Sequence, residues 1–316
     1  MKYRLAVLAG AMSYGVLSTI VSKAYGQGFS LGEVVGSQLF AGFLLAWAFV
    51  LVMRRKPKRT SGRTGTAIEG SPTLTWKQRL LLMAAGAPTA VTGLLYYESL
   101  RYIPNSLAIL LLFQFTWIGV LIQAAIQRKR PGRPTLIALG VLLGGTLLAA
   151  GVLEQGTALF NWTGVWLGLS SAVSYSLFIL FSGRAVPGAK PAYRSAWMIT
   201  GAMLLAIALF PPKFLVDGTL WEGLLPFGLL LGFFGAFLPP VLFAIGVPRI
   251  GEGLTGILGA SELPVAVLLS AVVLHEHVSA LQWAGVAAVM LGVALPELLK
   301  RARGSEVGYS AKEHSA

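Results

Sequence analysis

Long apolar runs separated by short polar clusters dominate the chain. A helix needs about 20 apolar residues to cross the hydrocarbon core of a bilayer. Ten segments qualify or nearly qualify: about 3–25, 31–53, 79–100, 104–126, 134–153, 162–182, 192–211, 222–245, 252–274 and 280–299. The first follows Lys2 and Arg4, as a secretory leader would. Its apolar run is too long for one, and Ser13, Tyr14, Ser18 and Thr19 interrupt it, so it reads as a retained helix. The pattern therefore predicts an all-α integral membrane protein with ten transmembrane helices. The longest loop, 54–78, is basic at its start and then reads Thr60-Ser61-Gly62-Arg63-Thr64-Gly65, a flexible linker. Residues 304–316 read as a disordered tail.

Composition narrows the class. Only 12% of residues are charged, about half the share in ordinary soluble domains. With 55% hydrophobic residues and a mean hydropathy of +0.73, a soluble enzyme, a disordered chain and a disulfide scaffold are excluded. The absence of cysteine removes thiol nucleophiles and Cys metal sites. The net charge of +13 would suit a nucleic-acid binder until it is placed along the chain. With the N-terminus inside, 22 of the 25 Lys and Arg residues fall on the inner side, leaving Lys23, Arg101 and Lys213 outside. That is the positive-inside bias of a multi-pass protein in the cell (inner or plasma) membrane with both termini cytoplasmic. The basic charge reports topology first. Contact with anionic lipid of the bilayer is secondary, and no nucleic-acid partner is expected.

The chain repeats itself. Ser13-Tyr14 with Lys23 nine residues after the tyrosine matches Ser174-Tyr175 with Arg184, at an offset of 161. Ile103 through Leu107 matches Ile250 through Leu254, and Gly145 matches Gly292, at an offset of 147. The difference between the offsets is about the excess length of loop 54–78 over 212–221. Two five-helix halves follow, 1–153 and 160–299. Because five is odd, the halves must insert upside down relative to one another. That is the inverted-repeat design of secondary transporters, with the substrate site near the midplane between the halves.

Several segments carry a family resemblance. The fourth span is led by Tyr102-Ile103-Pro104-Asn105, and the ninth contains Gly259-Ala260-Ser261-Glu262-Leu263-Pro264. The stretch Leu274-His275-Glu276-His277-Val278-Ser279-Ala280-Leu281-Gln282-Trp283-Ala284-Gly285, continuing to Gly292, holds a glutamate followed by a glutamine and a glycine. Together with the ten spans, these segments resemble the EamA branch of the drug/metabolite transporter superfamily over nearly the whole chain. The first half departs from that pattern, with Arg128-Lys129-Arg130 where a glutamate is common. The resemblance implies an exporter or exchanger of small metabolites, often amino acids or drugs, with no cofactor.

Ionisable groups inside a membrane are costly and mark functional candidates. Glu262 lies roughly 16 Å from each end of its span, at 1.5 Å per residue. Pro264 behind it leaves a carbonyl one turn earlier without its helical partner. The carboxyl either exchanges a proton, meets a substrate ammonium, or is protonated and bonded to Ser261 or a tyrosine for structural reasons. Tyr14 and Tyr175 are repeat-related aromatics expected to line a cavity, and Tyr96 and Tyr97 line its mouth or belong to the interfacial belt. Gln114, Trp117 and Asn105 give the fourth span a polar stripe. Gln114 is nearly equivalent to Glu262, and Trp117 suits stacking on a ring or cation. Glu98 is a second proton-coupling candidate, or else pairs with Arg101 three residues on. His275 and His277 lack a third ligand, so no metal site is expected. Gly140 with Gly144, and Gly228 with Gly232, have close-packing spacing, which suits helix contacts and leaves a homodimer open.

No phosphate-loop motif is present, and the single Asp217 offers no acid cluster for a membrane enzyme. The expected function is a secondary carrier working by alternating access, an exporter or exchanger of amino acids or related zwitterions and organic cations. Multidrug cation efflux is the alternative, and an enzyme or sensor the non-transport reading. The charge count makes a testable statement. A cysteine placed in 154–161 will label from outside intact cells and one in 54–78 will not; the reverse pattern would refute the orientation.

Overall fold

The computed structural model describes residues 1–55, 74–128, 132–150, 161–250 and 252–313. Regular structure among the described residues is entirely helical. The helices are α1 (Lys2–Gly15), α2 (Leu17–Gly26), α3 (Leu31–Arg55), α4 (Trp76–Ser99), α5 (Asn105–Leu112), α6 (Phe115–Gln127) and α7 (Arg133–Ala149). They continue as α8 (Trp162–Arg184), α9 (Pro191–Leu209), α10 (Leu225–Leu231), α11 (Leu238–Ile250), α12 (Glu252–Gly259), α13 (Glu262–Val273) and α14 (Ala280–Glu313). Wide π turns at Leu220–Leu224 and Gly232–Phe237 join α10 to its neighbours. Most of the expected linker 54–78 and of loop 154–161 lies outside the described residues. Helix α14 runs to Glu313, through much of the segment whose composition suggests disorder. Extending a formed helix costs far less than starting one.

Among the described residues, seven helical stretches are long and apolar enough to cross a membrane, and three shorter apolar helices accompany them. Between 33% and 44% of each long stretch is buried inside the protein, so the remaining apolar surface faces outward. Leu51, Trp166, Phe181, Leu204 and Leu291 are more than half exposed or nearly so. Helices that are apolar all round belong in lipid, and the chain is a multi-pass membrane protein.

Several spans are interrupted, and each interruption has a cause. Pro264 sits in the first turn of α13, where its missing N–H costs nothing, and it ends α12 at Gly259. The break between α5 and α6 has no proline. There the Gln114 N–H turns to the Leu111 carbonyl, and the Gln114 side chain donates to the Leu110 carbonyl at 2.7 Å. A side chain thus replaces a lost backbone bond, as a break in a dry interior requires. Pro88 lies inside α4, which runs on through it, and its carbonyl accepts the hydroxyls of Thr92 (2.8 Å) and Ser174 (2.9 Å).

The helices surround a central space. Helix α4 packs on α8 and α9, α3 on α9 and α10, α1 on α11 and α13, and α5 and α6 on α8; α7 and α14 pair on the periphery. Two crossings are set by glycine. A Cβ on Gly86 would strike the Met198 carbonyl, and one on Gly201 the Met83 carbonyl, so α4 and α9 touch backbone to backbone. Of the glycine pairs with close-packing spacing, Gly228 and Gly232 do meet α3, at Ser37 and Ala41. Gly140 and Gly144 face open space instead. The α7–α14 contact falls at the next residue, Gly145, where a Cβ would lie 2.8 Å from the Val289 nitrogen.

These crossings predict a graded response. Gly86→Ala will cost about 1–3 kcal/mol, the usual penalty for overpacking a rigid contact. Gly140→Ala will be neutral or better. Thermal unfolding in detergent will order the two, and equal melting temperatures would contradict the crossing.

Candidate functional site

A cavity of about 450 Å³ lies between the helices, lined from α1, α2, α3, α4, the end of α5, the start of α6, α8 and α9, the Gly232–Phe237 turn, α11 and the start of α13. The peripheral pair α7 and α14 contributes nothing to its wall. The lining is mostly aromatic and aliphatic. Its polar groups are Glu262, the tyrosines at 14, 96, 97 and 175, Gln38, Thr89, Thr92, and a group near one end, Ser182, Arg194 and Ser195.

Glu262 opens α13 directly after the break at Ala260 and Ser261. Helix α1 comes up close to it. A Cβ on Gly15 would stand 2.6 Å from the Glu262 carbonyl oxygen, so only glycine lets Tyr14 approach this depth. The Glu262 carboxyl acts electrostatically on the hydroxyls of Tyr14, Tyr96, Tyr97 and Tyr175. Gln38 stands against the Tyr97 hydroxyl. The rings brace one another: Phe115 meets Tyr175 edge-on at 4.7 Å, Tyr175 stacks on Phe178 at 6.1 Å, and Tyr14 leans on Phe243 at 6.2 Å. The sole ion pair among the described residues is Glu98–Arg101 at 3.5 Å, so Glu262 has no cationic partner among them. Ser261, one structural partner the sequence offers, instead donates to the Leu258 carbonyl at 2.7 Å. A lone carboxyl among tyrosine faces and hydroxyls is suited to an ammonium group or a proton.

Five residues singled out from sequence, Glu262, Tyr14, Tyr175, Tyr96 and Tyr97, thus meet in one cavity. Gln114 and Trp117 do not join them. Gln114 is buried at the α5–α6 break, donates to Thr146 of α7 at 2.9 Å, and accepts the Trp117 indole N–H at 2.7 Å. Its polar atoms are consumed by the break that made the sequence conspicuous there. Trp117 faces a separate apolar groove of about 210 Å³ against α7 and α14. Glu98 lies at the end of α4, held by Arg101 and by the Tyr102 hydroxyl at 3.4 Å, outside the cavity wall. Among the described residues no group of three metal-binding side chains includes His275 or His277. The Thr219 hydroxyl, and next the Thr219 N–H at 3.0 Å, hold the Asp217 carboxyl below its usual range, in a turn away from the cavity.

Gln38, Phe243 and Arg194 belong to the wall without having been singled out. Gln38 had a readable signal, since it is the one amide in an otherwise apolar second span. Arg194 was legible only as topological charge; its guanidinium donates to the Ser182 carbonyl at 2.7 Å. Glu276, part of the resemblance, has a structural task. Its carboxylate accepts the backbone N–H groups of Asn105 (2.7 Å) and Ser106 (3.2 Å) and the Ser106 hydroxyl (2.9 Å), capping the start of α5.

Residues 162–296 match the EamA-like transporter family. The threonine/homoserine exporter RhtA of Escherichia coli K12 is 27% identical over 216 residues, 68% of this chain and 70% of the relative. The RhtA of Salmonella typhimurium LT2 is 28% identical over the same shares. A transporter of Synechocystis is 25% identical over 205 residues, 64% of this chain and 61% of that protein. A crystal structure sharing 17% identity superposes with a TM-score of 0.63 over 95% of this chain and 97% of that one, the same overall fold.

The Gln114 bonds make a prediction. Gln114→Ala will strand the Trp117 indole and the Leu110 carbonyl and lower stability by about 1–3 kcal/mol, with substrate affinity unchanged in the folded fraction. Lost affinity at full stability would return Gln114 to the binding site.

Proposed function

We propose that this chain, an EamA-type transporter of the drug/metabolite transporter superfamily, exports small metabolites bearing an amino group by alternating access. Its activity is transport and not enzyme catalysis. The observation that carries the substrate class is the single carboxyl of Glu262, set among four tyrosines and free of any cationic partner among the described residues. An amino acid or related zwitterion fits, with its ammonium at Glu262 and its carboxylate on tyrosine hydroxyls and the Gln38 amide. The threonine/homoserine exporters among the relatives support that class. The aromatic wall also favours organic cations, which keeps multidrug efflux as the second reading.

The architecture we propose is ten spans in two inverted halves, 1–153 and 160–299. Its support is detailed. Helices α5, α6 and α7 start at Asn105, Phe115 and Arg133, and α12, α13 and α14 start at Glu252, Glu262 and Ala280, each 147 residues later. The fourth and ninth spans therefore break at the same place. The packing exchanges as well: α4 on α8 has its image in α11 on α1, and α4 on α9 in α10 on α3. We place both termini and the cavity end at Ser182 and Arg194 on the cytoplasmic side, following the basic loops. This conformation is then the one that loads from inside.

Glu262→Gln keeps size and hydrogen bonding but cannot titrate. In proteoliposomes the variant will lose pH-dependent net export. If it carries the proton, exchange of substrate for substrate survives; if it holds the amine, both fail in a protein that remains folded. Normal net export with an unchanged pH profile would refute the role of Glu262. Stabilisation by dicarboxylates or sugar phosphates, with no response to amines, would refute the substrate class.

A further inference from the structure

The cavity reaches only one end of the bundle, and the contacts at the other end identify how substrate leaves. Toward Ser182 and Arg194 the wall runs to where α8 stops and α9 begins. In the opposite direction it stops at Tyr96 and Tyr97. Beyond them Tyr25, in the last turn of α2, donates its hydroxyl to the Tyr97 carbonyl at 3.2 Å. The Arg101 guanidinium covers the Tyr25 ring at 5.1 Å and is steadied by Glu98 at 3.5 Å. Phe29, between α2 and α3, meets Phe227 of α10 edge-on at 5.8 Å. These contacts join the α2–α3 corner to α4 and α10.

The repeat provides an internal comparison. Shifted by 161 residues Phe29 becomes Lys190, and shifted back by 147 Phe227 becomes Leu80. Lys190 is exposed and Leu80 is 46% exposed. A contact that is packed at one end of the molecule is thus unpacked at its equivalent position at the other end. Two halves that exchange conformations would exchange this difference. The closing elements also have places to bend. Gly28, beside Phe29, has φ +90°, and Gly223, at the approach to α10, has φ +127° with its Cβ direction facing Phe29. These left-handed backbones are open to glycine at no steric cost, and hinges concentrate at such few residues.

We infer that Tyr25, Phe29, Arg101 and Phe227 form the outer gate, and that substrate leaves when the α2–α3 corner swings away from α4 and α10. The inference rests on the inverted-repeat reading above. It gives the Glu98–Arg101 pair a task outside proton coupling, namely fixing the guanidinium over the gate tyrosine. It also explains why Tyr97 faces two ways, with its hydroxyl in the cavity and its carbonyl holding the gate.

The chain contains no cysteine, so introduced thiols report alone. In Phe29→Cys/Phe227→Cys, a short cleavable bis-thiosulfonate will lower net export and exchange at least tenfold, and reductant will restore both; each single variant treated alike is the control. Full transport with the bridge verified by mass would overturn the gate. A second measurement does not depend on bridging. With Val35→Cys on the cavity wall as reporter, Tyr25→Ala will raise its modification by an impermeant reagent from outside several-fold. Modification of Ser195→Cys from the inside will slow. Unchanged rates in both reporters, or rates that rise together, would overturn the proposal. Thiol access is read without substrate, so a working gate in a protein that ignores amines refutes only the substrate class. Transport of amines through a bridged gate refutes only the gate.

Discussion

Backbone groups in hydrocarbon have no water to bond, and this requirement shapes everything else in the molecule. Each N–H and C=O must find a partner inside the protein, so a helix can be interrupted only where neighbours or its own side chains make good the loss. The two breaks meet that condition in different ways. At Glu262 a proline falls in the first turn of a new helix, where its missing donor is not needed. At Gln114 a side chain reaches back to Leu110 and is itself held by Thr146 and Trp117. The same interruption arises from two unrelated local chemistries, and the helices that follow the two breaks start 147 residues apart, at Phe115 and Glu262. What is common is the position of the break in the bundle, at mid-depth beside the cavity.

The break then places the chemistry. A carboxyl at the start of α13 points where a continuous helix would have buried apolar side chains. Helix α1 can come within reach only because Gly15 has no Cβ to collide with the Glu262 carbonyl. From there the wall is aromatic, each ring leaning on another, and charge is kept to the ends. Arg194 is tied to the end of α8 and Glu98 to Arg101. Peripheral α7 and α14 take no part in this wall. Their close contact is lined by Gly145, Gly285 and Gly292.

The expectations drawn from residue chemistry alone fared according to what each residue had to satisfy. Tyr14, Tyr96 and Tyr175 reached the cavity because a tyrosine in an apolar span has a hydroxyl that favours a polar space. Gln114 carried an equally strong signal and proved to be occupied by backbone. A buried amide has four hydrogen-bonding positions, and a helix break consumes them as readily as a ligand does. Trp117 followed it, since its indole is the partner of that amide. Gln38 was visible as a lone amide among apolar residues, yet nothing local separated it from Gln114. The glycine stripes divided in the same way, with Gly228 and Gly232 in contact and Gly140 and Gly144 facing open space.

The sequence by itself determined that the chain lies in a membrane, that it is helical and that its halves resemble each other. It also exposed the one acid deep within a span. These are properties of single segments: hydrophobic length, charge balance and repeated residues need no knowledge of neighbours. Tertiary structure alone decided which polar groups meet. Glu262, Gln38, Tyr97 and Arg194 come from four different helices, and only their crossing angles put them around one space. Whether a buried polar side chain serves backbone or substrate depends on what stands opposite it. That opposite group is supplied by another helix, as Thr146 is to Gln114 and as the start of α5 is to Glu276. Which end of the pathway is closed is likewise a fact of packing, because the residues at both ends are present in the sequence in equal measure.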